Sequence, residues 1–367
     1  MTVREREHGK RADAGPGLRI GLMLAGGGGM TVGDMASLAA RAEHVGFHGV
    51  YVAEAWRSGF APLAAMAART KRVALGPYVL NAHVRTPLIA GMSAVDLDEI
   101  SGGRLVLGVG SGNRVTNESH HGVPVERPLR KMREYMDVLR LVTRARRGER
   151  VEYAGEIHRV SGWPCQVDPF RPSVPLLLAA TSPRMTRLAA QVADGIALGT
   201  LQSAEFVGDI AARCRDIAGR ADFRVTMASL VAVDDDPERA RDAARAAVVN
   251  LYAGKPHPHY DSLLRQQGHE DVADAVDRLV RAGDLEAARR AVTDEVVERL
   301  VVAGTPEECL ARVRQYAGSV DELLFVGVHG MRYEAGSDTG RARRHLLDSY
   351  RPLLALGEHA AVEGARG

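Results

Sequence analysis

The sequence predicts an α/β fold, a (β/α)8 TIM barrel with an inserted segment. Short apolar runs alternate with amphipathic helical segments about eight times between Leu18 and Leu356, the count of such a barrel. Apolar runs of that kind, too short for helices, belong to a parallel sheet covered on both faces. Glycines and polar residues gather where the runs stop, as at Asn81 and His83 and again at Gly110-Ser111-Gly112-Asn113. In a barrel those strand ends carry the chemistry.

The elements follow in order. Arg19–Leu24 reads as a buried strand closed by the glycine-rich loop Ala25–Gly29, and Val32–Val45 as a helix stopped by Gly46. Gly49–Ala53 is the next strand, followed by Glu54-Ala55-Trp56-Arg57 and a helix over Ala61–Arg69. Val73–Val79 and Arg104–Val109 are strands on either side of a helix that starts at Pro87. Pro128–Arg146 carries Leu129, Met132, Met136, Leu139 and Val142 along one helical face. Val151–Val160 reads as an inserted hairpin. Leu176–Ala180, Gly195–Leu198, Phe223–Val233 and Leu323–Val328 are further strands. Pro237–Val249, Val272–Ala282 and Arg341–Leu354 are helical, with the His- and Pro-rich stretch Lys255–Tyr260 between the first two. Thr305, Pro306 and Glu308 form a helix start, as N-cap, first-turn proline and capping-box acid, for a helix reaching Tyr316. With no internal repeat or flexible linker, residues 18–356 read as one domain between a disordered leader, 1–17, and a flexible tail, 357–367.

Composition narrows the function. The 367 residues are 46% hydrophobic and 26% charged, ordinary for a globular protein. The 48 basic and 46 acidic residues are interspersed, which argues against nucleic-acid binding by bulk charge. The basic run Arg144–Arg150 suits a helix C-terminus. Cys165, Cys214 and Cys309 are far apart and lack CxxC spacing, so a reducing, cytoplasmic setting is expected, without disulfides or a zinc ribbon. No apolar run approaches the roughly 18 residues of a membrane helix.

Gly108–Gly112 follows a fourth strand and not a first, and no helix starts directly after it, so a nicotinamide Rossmann site is disfavoured. Ala25–Gly29 lacks the Lys-Ser/Thr of a phosphate loop. Thr181 and Ser182 stand at a strand end and helix start, beside Gly199 and Thr200 at the next strand end. That pair of ends can hold a phosphate, the alternative being plain capping by Ser182. Glu54 is a candidate mouth-facing carboxylate, the alternative being an ion pair with a neighbouring arginine. Glu118, His120 and His121 lack the ligand count of a metal site, as do His257 and His259, so proton transfer suits such histidines better. No Gly-x-Ser-x-Gly elbow supports serine hydrolysis.

Together, Glu54-Ala55-Trp56, Arg85-Thr86-Pro87, Ser101–Arg104 with Leu107–Gly112, Glu118–Pro124, Pro128-Leu129 with Arg133–Tyr135, Ala193-Asp194-Gly195 and Gly304–Glu308 resemble the bacterial luciferase-like family. The branch they resemble is that of the coenzyme F420-dependent oxidoreductases, akin to methylenetetrahydromethanopterin reductase. The resemblance spans nearly all of Leu18–Leu356. It implies a deazaflavin cofactor backed by a bulged third strand with a cis peptide near Tyr78, Val79 and Leu80, before Asn81. It also implies that Gly110, Ser111 and Gly112 line the cofactor and that Thr181, Ser182, Gly199 and Thr200 hold its phosphate. The implied reaction is hydride transfer to a C=C or C=N bond of a small-molecule or peptide substrate, with Glu54, Glu118, His120 and His121 as proton-donor candidates. An F420-reducing or flavin-reducing enzyme would supply the cofactor, and a homodimer is left open. Related readings are an FMN-dependent monooxygenase and a non-catalytic flavin or deazaflavin carrier.

The sequence also departs from its relatives. Glu54-Ala55 stands where several have Asp-His, so the histidine base of the family's sugar-phosphate dehydrogenases is absent. Asn113-Arg114 replaces Pro-Gln, and His120 replaces a tryptophan, so the pocket wall is expected to differ.

Overall fold

The computed structural model describes residues 17–253, 258–328 and 339–364. Eight wall positions make a parallel barrel: β1 (Arg19–Leu24), β2 (Gly49–Val52), β3 (Ala74–Pro77) continued by the two-residue β4 (Leu80–Asn81), β5 (Leu107–Gly110), β8 (Leu176–Ala179), β9 (Gly195–Leu198), β10 (Arg224–Val233) and β12 (Glu322–Gly327). The hydrogen-bonded order is β3-β2-β1-β12-β10-β9-β8-β5-β4, with β11 (Val302–Gly304) added on β10. The seam closes at two points. Leu75 bridges Leu105 low on the wall, and Leu80-Asn81 pairs with Val109-Gly110 above it. A Cβ on Gly76 would fall on the Val106 carbonyl, so only glycine lets the backbones meet there.

Helices α1 (Val32–His44), α2 (Phe60–Arg69), α3 (Pro87–Ser101), α4 (Pro128–Arg144), α5 (Pro183–Val192) and α6 (Ala204–Ala218) cover the first part of the sheet. Their starts follow the sequence. Thr31 and Asp34 form a capping box, Thr86 caps α3 with Pro87 at its first position, and Thr305 and Glu308 cap α12 (Pro306–Arg314) as expected. The Ser101-Gly102-Gly103-Arg104 motif ends α3 in a left-handed glycine, Gly102 at φ 68°. The buried Arg104 guanidinium then donates to the carbonyls of Ala67, Thr70, Ser101 and Val73, tying α2 and α3 to the seam.

The inserted hairpin is longer than expected, β6 (Arg150–Ala154) with β7 (Arg159–Pro164). A larger insertion, α7 (Pro237–Ala253) through α8 (Pro258–Gln266), α9 (Glu270–Arg281), α10 (Leu285–Ala291) and α11 (Asp294–Leu300), packs its own apolar core against the sheet. The closing segment is two helices, α13 (Thr339–Asp348) and α14 (Tyr350–Gly364). Helix α14 runs past 357, with Leu353, Leu354, Leu356 and Ala360 buried in the main core. The leader residues 1–16 and residues 254–257 of the His- and Pro-rich stretch lie outside the described residues. No described helix is long and apolar enough to cross a membrane.

Candidate active site at the strand ends

Glu54 follows β2 and is 11% exposed. Its Oε1 accepts from the Gly59 N–H at 3.1 Å and from Arg85 at 2.8 Å, and its Oε2 accepts from the Asn81 N–H at 3.0 Å. The ion pair weighed from sequence is therefore formed, and it fastens the end of β4 to the β2 loop. The Arg85 guanidinium also lies 5.4 Å over the Phe60 ring.

Asn81 continues the network inward. Its amide donates to Asn117 Oδ1 at 2.6 Å, its Oδ1 accepts from the His83 N–H at 3.1 Å, and Asn117 donates to the Ser111 carbonyl at 2.9 Å. This amide relay fixes the Gly110–Gly112 loop beside β4. The glycines are needed for closeness: a Cβ on Gly110 would stand 2.6 Å from Val79, and one on Gly112 2.6 Å from the Asn81 amide. The Tyr78–Val79 peptide bond is cis, at the position the resemblance implies. The Tyr78 hydroxyl lies 2.8 and 2.9 Å from the carbonyls of Leu198 and Thr226, sharing its one proton between them.

Asn117 sits in a π-helical turn, Thr116–His120, where the His121 N–H reaches back to the Thr116 carbonyl at 3.2 Å. The turn buries Asn117 and leaves Glu118, His120 and His121 exposed. Glu118 pairs with Arg114 at 2.9 Å. Glu54 is linked to this turn through Asn81 and Asn117, while Glu118, His120 and His121 stand together on its exposed side. Sequence reasoning passed over Asn117, although an amide seven residues beyond a strand-end glycine is the available signal.

In the sequence His83 reads only as a polar strand end. It is 6% exposed, and neither ring nitrogen makes a hydrogen bond of good geometry, although the Ser111 backbone lies beside it. Burial first, then the nearby Lys131 charge, pushes its pKa down to about 4.

At the neighbouring strand ends, Thr181 and Ser182 are exposed, and Ser182 accepts from the Met185 N–H at 3.3 Å as the N-cap of α5. A Cβ on Gly199 would meet only His259 Nε2, at 3.9 Å, so there is room above β9. The Tyr260 hydroxyl lies at Thr200, and burial raises its pKa. A helix start beside open space and hydroxyl groups fits a phosphate. The amide-lined face of Asn81, Gly110 and Ser111 fits the polar edge of a flat ring. A cleft of about 670 Å³ between α4 and the hairpin is walled by Arg140, Arg144, Glu149 and Glu152 and does not touch the strand ends. Among the described residues no cluster of three His, Cys, Asp or Glu could hold a metal.

A closed parallel barrel with its polar network at the strand ends defines a barrel enzyme. The chain matches the luciferase-like monooxygenase family over residues 16–322 and belongs to it. It is an enzyme of this oxidoreductase family. It is 31% identical over 287 residues to 5,10-methylenetetrahydromethanopterin reductase of Archaeoglobus fulgidus, covering 75% of this chain and 83% of that one. Its fold resembles the coenzyme F420-dependent tetrahydromethanopterin reductase of Methanopyrus kandleri, with a TM-score of 0.73 at 22% identity over 91% of this chain and 98% of that one. It also resembles the monooxygenase RslO1 of Streptomyces bottropensis, with a TM-score of 0.61 at 22% identity over 92% and 99% of the two chains.

Proposed function

We propose that the chain is a coenzyme F420-dependent oxidoreductase acting on a C=C or C=N bond of a small-molecule or peptide substrate. The observation that carries this is its 31% identity to a methylenetetrahydromethanopterin reductase across three quarters of its length. The strand-end geometry supports it. In this reading Asn81, Gly110, Ser111 and Gly112 bind the ring edge, Tyr78 and Val79 back it, and Thr181, Ser182, Gly199 and Thr200 hold the phosphate. Reduced F420, when bound, supplies the hydride.

The chain's own residues position and protonate. Glu54, with both oxygens engaged, is suited to holding Arg85 and the Asn81 backbone in place. Among the described residues His120 and His121 find no side-chain hydrogen-bond partner, and they stand on the exposed π turn beside Glu118, so the proton donor is sought there first. An F420-reducing enzyme is the natural partner.

Titration of the purified protein with F420 and with FMN tests the cofactor. Tight F420 and weak FMN binding is expected. The reverse, with oxygen consumption dependent on reduced flavin, would move the chain to the monooxygenase reading that the fold shared with RslO1 keeps open. Ser182→Asp should weaken F420 binding and leave the fold intact, because an added carboxylate repels a phosphate at the α5 start. Unchanged affinity would leave Ser182 a helix cap only.

A further inference from the structure

Beside the strand ends lies a second group of polar side chains that the proposed reaction does not use. Helix α4 carries Lys131, Glu134 and Tyr135 on one face, at positions i, i+3 and i+4. Glu134 accepts the N–H groups of Glu156, Ile157 and His158 at 3.0, 2.8 and 2.9 Å. This clamps the hairpin turn onto α4 and sets the His158 ring edge-on to the Tyr135 ring, 5.8 Å between centroids. His83 arrives from the end of β4. The Lys131 charge acts on both imidazoles, and the Glu54–Arg85 pair acts on the Tyr135 hydroxyl, so these groups border one region.

What sets the region apart is unmet hydrogen bonding. Among the described residues Nε2 of His158 and the Tyr135 hydroxyl are buried without a hydrogen-bond partner, the His83 ring has only the Ser111 backbone beside it and no bond of good geometry, and Lys131 makes no ion pair. Native proteins satisfy nearly all such groups. The adjacent carboxylates do not serve: Glu54 is held by Arg85, and Glu134 is spent on the hairpin turn. Each neutral imidazole brings one N–H and one bare nitrogen and the tyrosine one O–H, so several donors and the Lys131 cation gather here with no free carboxylate to meet them.

We propose that Lys131, His83, His158 and Tyr135 form a binding pocket for an oxyanion group, a carboxylate or phosphate, on a ligand that reaches the neighbouring strand ends. An oxyanion has enough lone pairs to accept from several of these donors and gives Lys131 its counter-charge. Burial and Lys131 lower the proton affinity of both imidazoles, and an arriving anion reverses that effect.

The test uses the full chain without cofactor, so it stands or falls apart from the F420 reading. Ring signals of His83 and His158, assigned with His83→Gln and His158→Gln, are followed by NMR during titration with inorganic phosphate and with acetate. Saturable shifts and a rise in both imidazole pKa values are expected, with affinity reduced about tenfold or more in Lys131→Gln through loss of a charge-assisted contact. Tyr135→Phe, which removes only a hydroxyl, is the second variant and should weaken binding less. F420 affinity of Lys131→Gln then tells the source. A matching loss assigns the anion to the cofactor, and an unchanged value assigns it to the substrate. Absence of a saturable response in the parent protein, or an equal response in Lys131→Gln and Tyr135→Phe, overturns the pocket.

Discussion

Glu54 shows how much one side chain can organise. It joins Gly59, Arg85 and Asn81, residues from separate parts of the chain, at one carboxylate. Its position after an apolar run made it visible in the sequence, but its partners did not, because Arg85 and Asn81 reach it only once β4 is paired. Glu54→Gln removes the charge that neutralises a partly buried guanidinium. A loss of about 1–3 kcal/mol in urea unfolding is expected, with turnover reduced only modestly. A fall in turnover of about two to four orders of magnitude with stability unchanged would give Glu54 the proton-donor role instead. His83 was equally visible and harder to interpret. A histidine two residues beyond a strand-end asparagine says nothing of Lys131 or His158, which come from a later helix and a hairpin.

Elements were legible where period and caps agreed. The barrel strands and the capped starts of α1, α3 and α12 stand within a few residues of the sequence reading. The π turn, Thr116–His120, was not legible, since its extra residue per turn leaves no apolar period. Nor were α10 and α11, each seven residues long and too short for a clear period. Helix α3 is apolar around much of its circumference because α2 and α4 flank it. Its Gly91 faces α4, where a Cβ would stand 2.5 Å from Val142 Cγ1. Gly91→Ala should therefore destabilise by about 1–3 kcal/mol through overpacking, despite alanine's better helix propensity. The double variant Gly91→Ala/Val142→Ala should recover part of this in thermal unfolding. Additive losses would mean that the two helices do not meet there.

At the scale of the whole molecule, acid should act in two stages. His83, His158 and His269 all have lowered proton affinity, with burial the main cause. The unfolded chain then takes up protons near pH 6.5 that the folded chain refuses until about 4 at His83, so stability falls as pH drops through that window. The second stage belongs to carboxylates. At the base of the barrel Glu322 is buried, which alone would raise its pKa. His48 at 3.0 Å and the Tyr51 hydroxyl at 2.8 Å, with Arg19, outweigh this and hold it below the usual range. Its contribution is full above the ordinary carboxylate pKa and is lost on further acidification. Urea midpoints measured from pH 7 to pH 4 should decline, and His83→Gln should flatten the upper part of that decline. An identical slope in the variant would mean that His83 does not carry it.

The barrel's seam has a further consequence. Where other neighbouring strands share longer ladders, β3 meets the chain before β5 at one bridge and β4 adds only two paired residues. The same few residues frame the amide relay of Asn81, Asn117 and Ser111. Amide protons there have the fewest neighbours to open with, so deuterium should enter Leu80, Asn81 and Ala82 well before it enters β10 and β12. The wall would then breathe at the proposed cofactor edge, and a guest that bridges β4 to β5 would slow exchange at those amides while leaving the far side of the barrel unchanged.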